Sequence, residues 1–419
     1  MAKTNRMHPA DLVGYSRLAV AATVGLTSLV EAMHRNIAGP PSVDGDARSG
    51  RTAGITGAVY SSVRGATTLV GGGIDALLAG VVPMLGQSGF SPDRDALLAA
   101  LNGVIGDYLA DTDNPLAISM CLRRDGKPLD IRNEPLTAAI PGASGKLLVL
   151  VHGLSMNDLK WKREGHDHGE ALARDLGYTP VYVHYNSGLH TSTNGRALDE
   201  LLEVLVERWP VPLEEFVMIG HSMGGLVSRA AYHYGTLANH RWTRKLRKLI
   251  FLGTPHHGSP LERGGNLLEY LLQLNRYSNP LARLGKIRSA GVTDLRYGNL
   301  LDEDWQSRDR FRIAGDMRRP VPLPKDVRCY AMAVTTSERP DSIRSVVLGD
   351  GLVPVGSALG LHSDPKRTLL FAKSRQWVGY GMRHFDLLSH PAVYKVIKKW
   401  VASPSPKGSK RQVGEKPSI

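Results

Sequence analysis

The 419-residue sequence predicts an α/β fold, a mostly parallel sheet flanked by helices, with a helical region ahead of it. Continuous apolar runs at 146–151, 216–219 and 327–334 read as buried strands, because a strand covered on both faces has no polar alternation. The first two lie some seventy residues apart, roughly one and a half βα units at ordinary element lengths. The second opens directly into Gly220-His221-Ser222-Met223-Gly224, a Gly-x-Ser-x-Gly sequence in which a strand turns sharply into a helix and presents a serine oxygen.

Along the chain, apolar residues recur at helical spacing from Leu12 to Ile37, and again from Ile55 through Val59, Val63, Val70, Ile74 and Leu77. Gly39-Pro40-Pro41-Ser42 to Gly50 is a linker by composition. A third helix opens at Ser91-Pro92, an N-cap and first-turn pair, and carries Leu97, Leu101, Val104, Ile105, Tyr108 and Leu109 on one face. Residues 1–115 therefore read as an N-terminal helical region, either packed as a cap or facing a lipid surface. The stretch 118–131, with Asp125-Gly126 at its centre, reads as a β-hairpin leading into the sheet. The sheet domain is expected over 116–402. Its insertion at about 259–324 is too long for an ordinary connection, and Leu267, Leu268, Leu271, Leu272 and Leu274 give it a helical apolar face suited to a lid. The Pro/Ser/Lys-rich end, 403–419, is expected to be a disordered basic tail.

A nucleophilic serine needs a base, and the base needs an orienting acid. Both follow Ser222 in the order Ser, Asp, His. Asp350 stands in the Gly-flanked stretch Gly349-Asp350-Gly351 beyond the strand at 327–334, and His384 lies in Met382-Arg383-His384-Phe385 before a terminal amphipathic helix. Asp341 is the alternative acid. Among the other histidines, His390 precedes a proline and reads as a helix start, while His256 and His257 would line a site without serving as its base. Lys146–Val151 runs into His152-Gly153-Leu154, again a strand ending at a Gly turn.

Together with Tyr185-Asn186-Ser187-Gly188 and Gly253-Thr254-Pro255-His256-His257-Gly258, these segments resemble the lipase branch of the α/β-hydrolase superfamily. They are most similar to domains of GPI inositol-deacylases and bacterial triacylglycerol lipases, over roughly 140–402. The resemblance implies Ser222 as nucleophile, His384 as base and Asp350 as its orienter. Backbone N–H groups of Leu154 and Met223 would form the oxyanion hole. It implies hydrolysis of a lipid or acyl-ester substrate, with no cofactor and no metal. An acyltransferase or intracellular polyester depolymerase on the same triad is the nearest alternative. A non-catalytic lipid-granule or membrane-binding protein is the alternative of another class.

Composition sets outer bounds. Fifty-two Lys and Arg against 39 Asp and Glu give a net charge of +13, which suits anionic lipid headgroups; nucleic acid is disfavoured, since no recognition motif accompanies the charge. Basic clusters stand at Arg241, Arg244, Lys245, Arg247 and Lys248, at Arg308, Arg310 and Arg312, at Arg318 and Arg319, and at Lys395, Lys398 and Lys399. Two cysteines, Cys121 and Cys329, make no disulfide framework, and His166-Asp167-His168 reads as polar surface or a structural element rather than a metal site. The first nine residues are polar and lack an export signal's apolar core. The apolar stretch 66–85 carries Asp75 near its middle, which argues against a membrane span. A cytoplasmic protein with peripheral contact to a membrane or lipid granule is expected, of undetermined oligomeric state.

Overall fold

The computed structural model describes residues 11, 13–21, 24, 61, 92–259, 288–310, 315–338 and 349–404. Most of the predicted N-terminal helices, the linker, the stretch 66–85, the lid residues 260–287, Asp341 and residues 405–419 lie outside these. No helix among the described residues is long and apolar enough to cross a membrane.

The chain forms two compact units, Met1–Ser91 with Leu109–Ala117, and Pro92–Tyr108 with Ile118–Ile419. In the first, residues 13–21 are helical. Asn114 Nδ2 donates to the Gly14 carbonyl at 3.2 Å, and a Cβ on Gly14 would meet Leu116 Cγ at 2.3 Å.

The second unit is built on an eight-stranded sheet in the order β2-β1-β4-β3-β5-β6-β7-β8. β1 (Cys121–Arg124) and β2 (Lys127–Leu129) form the expected hairpin, and β1 pairs antiparallel with β4 (Thr179–His184). Asp125 and Gly126 turn it, with φ of 52° and 74°, the doubly positive conformation that tight hairpins require. The remaining pairs are parallel: β4 with β3 (Lys146–Val151), then β5 (Glu215–His221), β6 (Leu246–Leu252), β7 (Arg328–Thr335) and β8 (Gln376–Tyr380). β3 to β7 are buried nearly end to end, as strands covered on both faces are.

Helices of this unit include residues 92–108 of α1 (Pro92–Asp111), α2 (His168–Leu176), α3 (Thr191–Glu207), α4 (Met223–Leu237), α5 (Ala290–Asp294) and α6 (Pro391–Ala402). Helix α1 begins where Ser91-Pro92 predicts.

Burial also corrects the charge reading. Lys248 is fully buried, its Nζ donating to Glu215 Oε1 and the Val401 carbonyl, both at 2.6 Å. Arg318 is buried against Asp316 and the carbonyls of His256 and Gly298. A cation so paired satisfies interior oxygens and contributes nothing to a surface field.

Candidate active site

Ser222 stands between β5 and α4 with φ 53° and ψ −124°, a backbone that side chains with a Cβ disfavour. The surroundings hold it there. Its N–H donates to the Leu252 carbonyl at 2.8 Å, and its own carbonyl accepts from Gly225 at 3.0 Å. The glycines around it are demanded by close approach. A Cβ on Gly224 would lie 2.2 Å from the Val151 carbonyl oxygen and 2.4 Å from that of His152, while one on Gly220 would lie 2.6 Å from Gly225 Cα. The end of β3 and the start of α4 therefore touch backbone to backbone.

That contact brings the loop after β3 beside the serine: a Cβ on Gly153 would sit 3.1 Å from Ser222 Cβ. Leu154 and Met223 are both buried. Met223 opens α4, where a backbone N–H has no carbonyl of its own helix to serve and the helix dipole favours negative charge. Tyr185 Oη donates to the His152 carbonyl at 2.8 Å, and its ring stacks on the His152 imidazole at 4.3 Å. Burial pushes that imidazole down to about 4, leaving it neutral.

Asp350 and His384, 34 residues apart, meet at the other side. His384 Nδ1 lies 2.7 Å from Asp350 Oδ2, both side chains being almost wholly buried. Asp350 Oδ1 accepts from the backbone N–H groups of Leu352 at 2.9 Å and Val353 at 2.8 Å. With Nδ1 protonated toward the carboxylate, His384 Nε2 is an acceptor, and it is buried without a hydrogen-bond partner. The ring lies at the end of β6, where a Cβ on Gly253 would be 3.1 Å from His384 Cε1, one residue beyond the carbonyl that holds Ser222.

The remaining histidines divide by environment. His221 is buried beside His384, ring centroids 4.8 Å apart, and burial holds it well below its ordinary value. His256 is likewise neutral through burial, with Nδ1 3.2 Å from an Arg229 guanidinium nitrogen; His257 Nε2 bonds the Gly360 carbonyl at 2.9 Å. These two belong to a structural network around Arg229 and Arg318. His390 caps α6, accepting from Ala392.

The His166-Asp167-His168 sequence holds structure together. Asp167 caps α2 and accepts from Tyr182 Oη at 2.7 Å. His168 is buried, its Nε2 2.9 Å from the carbonyl of Leu387 in the 3₁₀ turn His384–Leu388 and its Nδ1 2.8 Å from His166 Nε2. Sequence reading passed over His168 as support for that turn; Asp167 followed by Glu170 at N3 was a legible helix start. A cavity of about 530 Å³ lined by Asp294, Arg296, Trp305, Arg308, Arg310 and neighbours does not include Ser222, Asp350 or His384.

Residues 145–333 match the model of the PGAP1-like alpha/beta domain. That segment resembles this domain, and the mostly parallel eight-stranded sheet with its flanking helices is an α/β fold. The match spans the loop after β3 and the serine turn and ends before Asp350 and His384. Similar solved structures include the mature lipase BlEst2 of Bacillus licheniformis, 19% identical over 68% of this chain and 98% of that one, with a TM-score of 0.40. Aspergillus fumigatus lipase B is 11% identical over 64% and 57%, with a TM-score of 0.38. The metagenomic carboxyl esterase MGS0156 is 17% identical over 77% and 98%, with a TM-score of 0.36. No curated protein matches the sequence significantly.

Proposed function

We propose that the protein hydrolyses carboxylic esters with a lipid-like acyl part, through an acyl-enzyme on Ser222. The main support is the buried Asp350–His384 pair at 2.7 Å, which leaves His384 Nε2 buried without a hydrogen-bond partner. In the reaction Ser222 Oγ attacks the ester carbonyl as its proton passes to His384 Nε2. The tetrahedral oxyanion is met by the N–H groups of Leu154 and Met223. The alkoxide leaves with the proton from His384. Water then loses a proton to the same nitrogen, attacks the acyl-serine, and the acid departs as Ser222 is reprotonated.

The lipid-like acyl part is what the resemblance of the sequence motifs implies; the 145–333 match itself is to the PGAP1-like alpha/beta domain. The test is turnover of 4-nitrophenyl esters from acetate to palmitate, with fluorophosphonate labelling, on the protein and Ser222→Ala. Both signals are expected in the parent and neither in the variant. The chain-length optimum separates lipase from esterase. A folded parent that neither turns over nor labels defeats the proposal.

A further inference from the structure

We propose that helix α1 positions the oxyanion loop, and that Gly103 sets the fit. This role presupposes the ester-hydrolase reading of Ser222 and Leu154 given above.

Glycine inside a helix costs about 1 kcal/mol relative to alanine, so two of them within one turn call for a reason. A Cβ on Gly103 would lie 1.8 Å from Ser155 Oγ and 2.8 Å from Ser155 Cα. Ser155 follows Leu154 directly and has φ 55°, so the direction of the Leu154 amide is coupled to how Ser155 is seated. Three residues on, a Cβ on Gly106 would lie 1.9 Å from Asn186 Oδ1. Asn186 Nδ2 donates to the Gly106 carbonyl at 2.8 Å, and Asn186 Oδ1 accepts from Gly188. Ser187 Oγ of that same turn accepts from the Ser155 N–H at 2.8 Å. The helix kinks at Ile105, between the two glycines, which fits its backbone to both surfaces.

A second hold lies farther along the loop. Arg123 of β1 donates to Asp95 Oδ2 of α1 at 2.6 Å and to Asp158 Oδ1 at 3.2 Å, in the 3₁₀ turn that ends the loop. Helix α1 thus holds residues 152–158 at Ser155 directly and at Asp158 through Arg123. It also reaches the side of the second donor. Ser289 Oγ donates to the Gly103 carbonyl at 2.7 Å, Ala290 N–H to Asp107 Oδ2 at 2.9 Å, and a Cβ on the next residue, Gly291, would lie 3.0 Å from Met223 Cε.

A methyl group at 103 must push Ser155 away and turn the Leu154 N–H off the oxyanion. That contact forms only as charge develops, so the loss falls on kcat and not on KM. In Gly103→Ala, kcat for 4-nitrophenyl butyrate and the fluorophosphonate labelling rate are expected to fall about 10- to 100-fold, somewhat less than deletion of a donor. KM stays within about twofold and the pH profile keeps its midpoint, since Asp350 and His384 are untouched. Hydrogen exchange at 152–158 speeds up. Alanine favours helix, so the loss cannot be assigned to a weakened α1.

A folded Gly103→Ala with parental kcat, or with a change in KM alone, overturns the inference. Where the parent is itself inactive, the hydrolase reading fails, and exchange at 152–158 decides the structural part separately: unchanged protection overturns it, faster exchange sustains it. Should Gly103→Ala not fold, Asp95→Asn loosens the second hold with the glycine fit intact. A lower kcat at constant KM with faster exchange then sustains the inference, and parental values overturn it.

Discussion

Replacing Asp350 with asparagine changes one oxygen to an NH₂, and the structure dictates which way the amide must face. Asp350 Oδ1 accepts two backbone N–H groups, from Leu352 and Val353, while Oδ2 receives the single hydrogen of His384 Nδ1. Turning the amide oxygen toward His384 would set the NH₂ against two buried donors, at about 1–3 kcal/mol for each group left unsatisfied, or roughly 2–6 kcal/mol together. The oxygen therefore stays on the backbone pair and the NH₂ meets His384 Nδ1. That nitrogen must then accept, the ring proton moves to Nε2, and Nε2 can no longer take the proton of Ser222. The expected loss in kcat is about 10⁴-fold, near 5.4 kcal/mol. Thermal stability should change little, because both backbone bonds survive. The assay is kcat for 4-nitrophenyl butyrate beside a melting curve. A loss below tenfold in a folded Asp350→Asn protein would refute the tautomer argument and turn attention to Asp341.

Two further outcomes follow from packing and burial. Gly224→Ala places a methyl 2.2 Å and 2.4 Å from two carbonyl oxygens of the chain leaving β3, which side-chain rotation cannot relieve. A destabilisation of about 3 kcal/mol or more is expected in denaturant titration. Gly356→Ala, whose nearest neighbour would be 4.0 Å away, is expected to be neutral; equal midpoints for the two variants would contradict the close-contact account. Acid should destabilise the fold well before carboxylates titrate. Burial pushes His152 and His168 from 6.5 down to about 4, so between those values the unfolded chain binds protons that the native one does not. Stability is complete above about pH 6.5 and falls as pH drops toward 4, by on the order of 3 kcal/mol for each ring. A melting temperature flat from pH 7 to 4.5 would rule this out.

The chemistry of the candidate site was more legible than its support, for a physical reason. Ser222 announces itself because the turn forces glycine at 220 and 224, and β3, β5 and β7 because burial on both faces removes polar alternation. The order Ser, Asp, His narrows the acid and the base to a few positions. The role of α1 leaves no such local trace. Its apolar stripe is that of any packed helix, and Gly103 and Gly106 look like ordinary weak points until the loops they meet, fifty to eighty residues away, are folded against them. His168 was hidden similarly, since its partner is a backbone carbonyl 219 residues distant. The charge reading failed at Lys248 because a cation in a basic stretch cannot be told from the outside as the one that turns inward to Glu215.

Ser222 occupies a backbone conformation that nearly every other residue type would also find uncomfortable, and glycine alone would not. Selection for robustness and selection for turnover therefore pull in opposite directions at one codon. A lineage freed from the need to react would be expected to drift there toward glycine, and its descendants would be sturdier proteins for having lost the oxygen. Retention of serine at 222 is thus a mark that can be looked for in sequences alone, before any substrate is in hand.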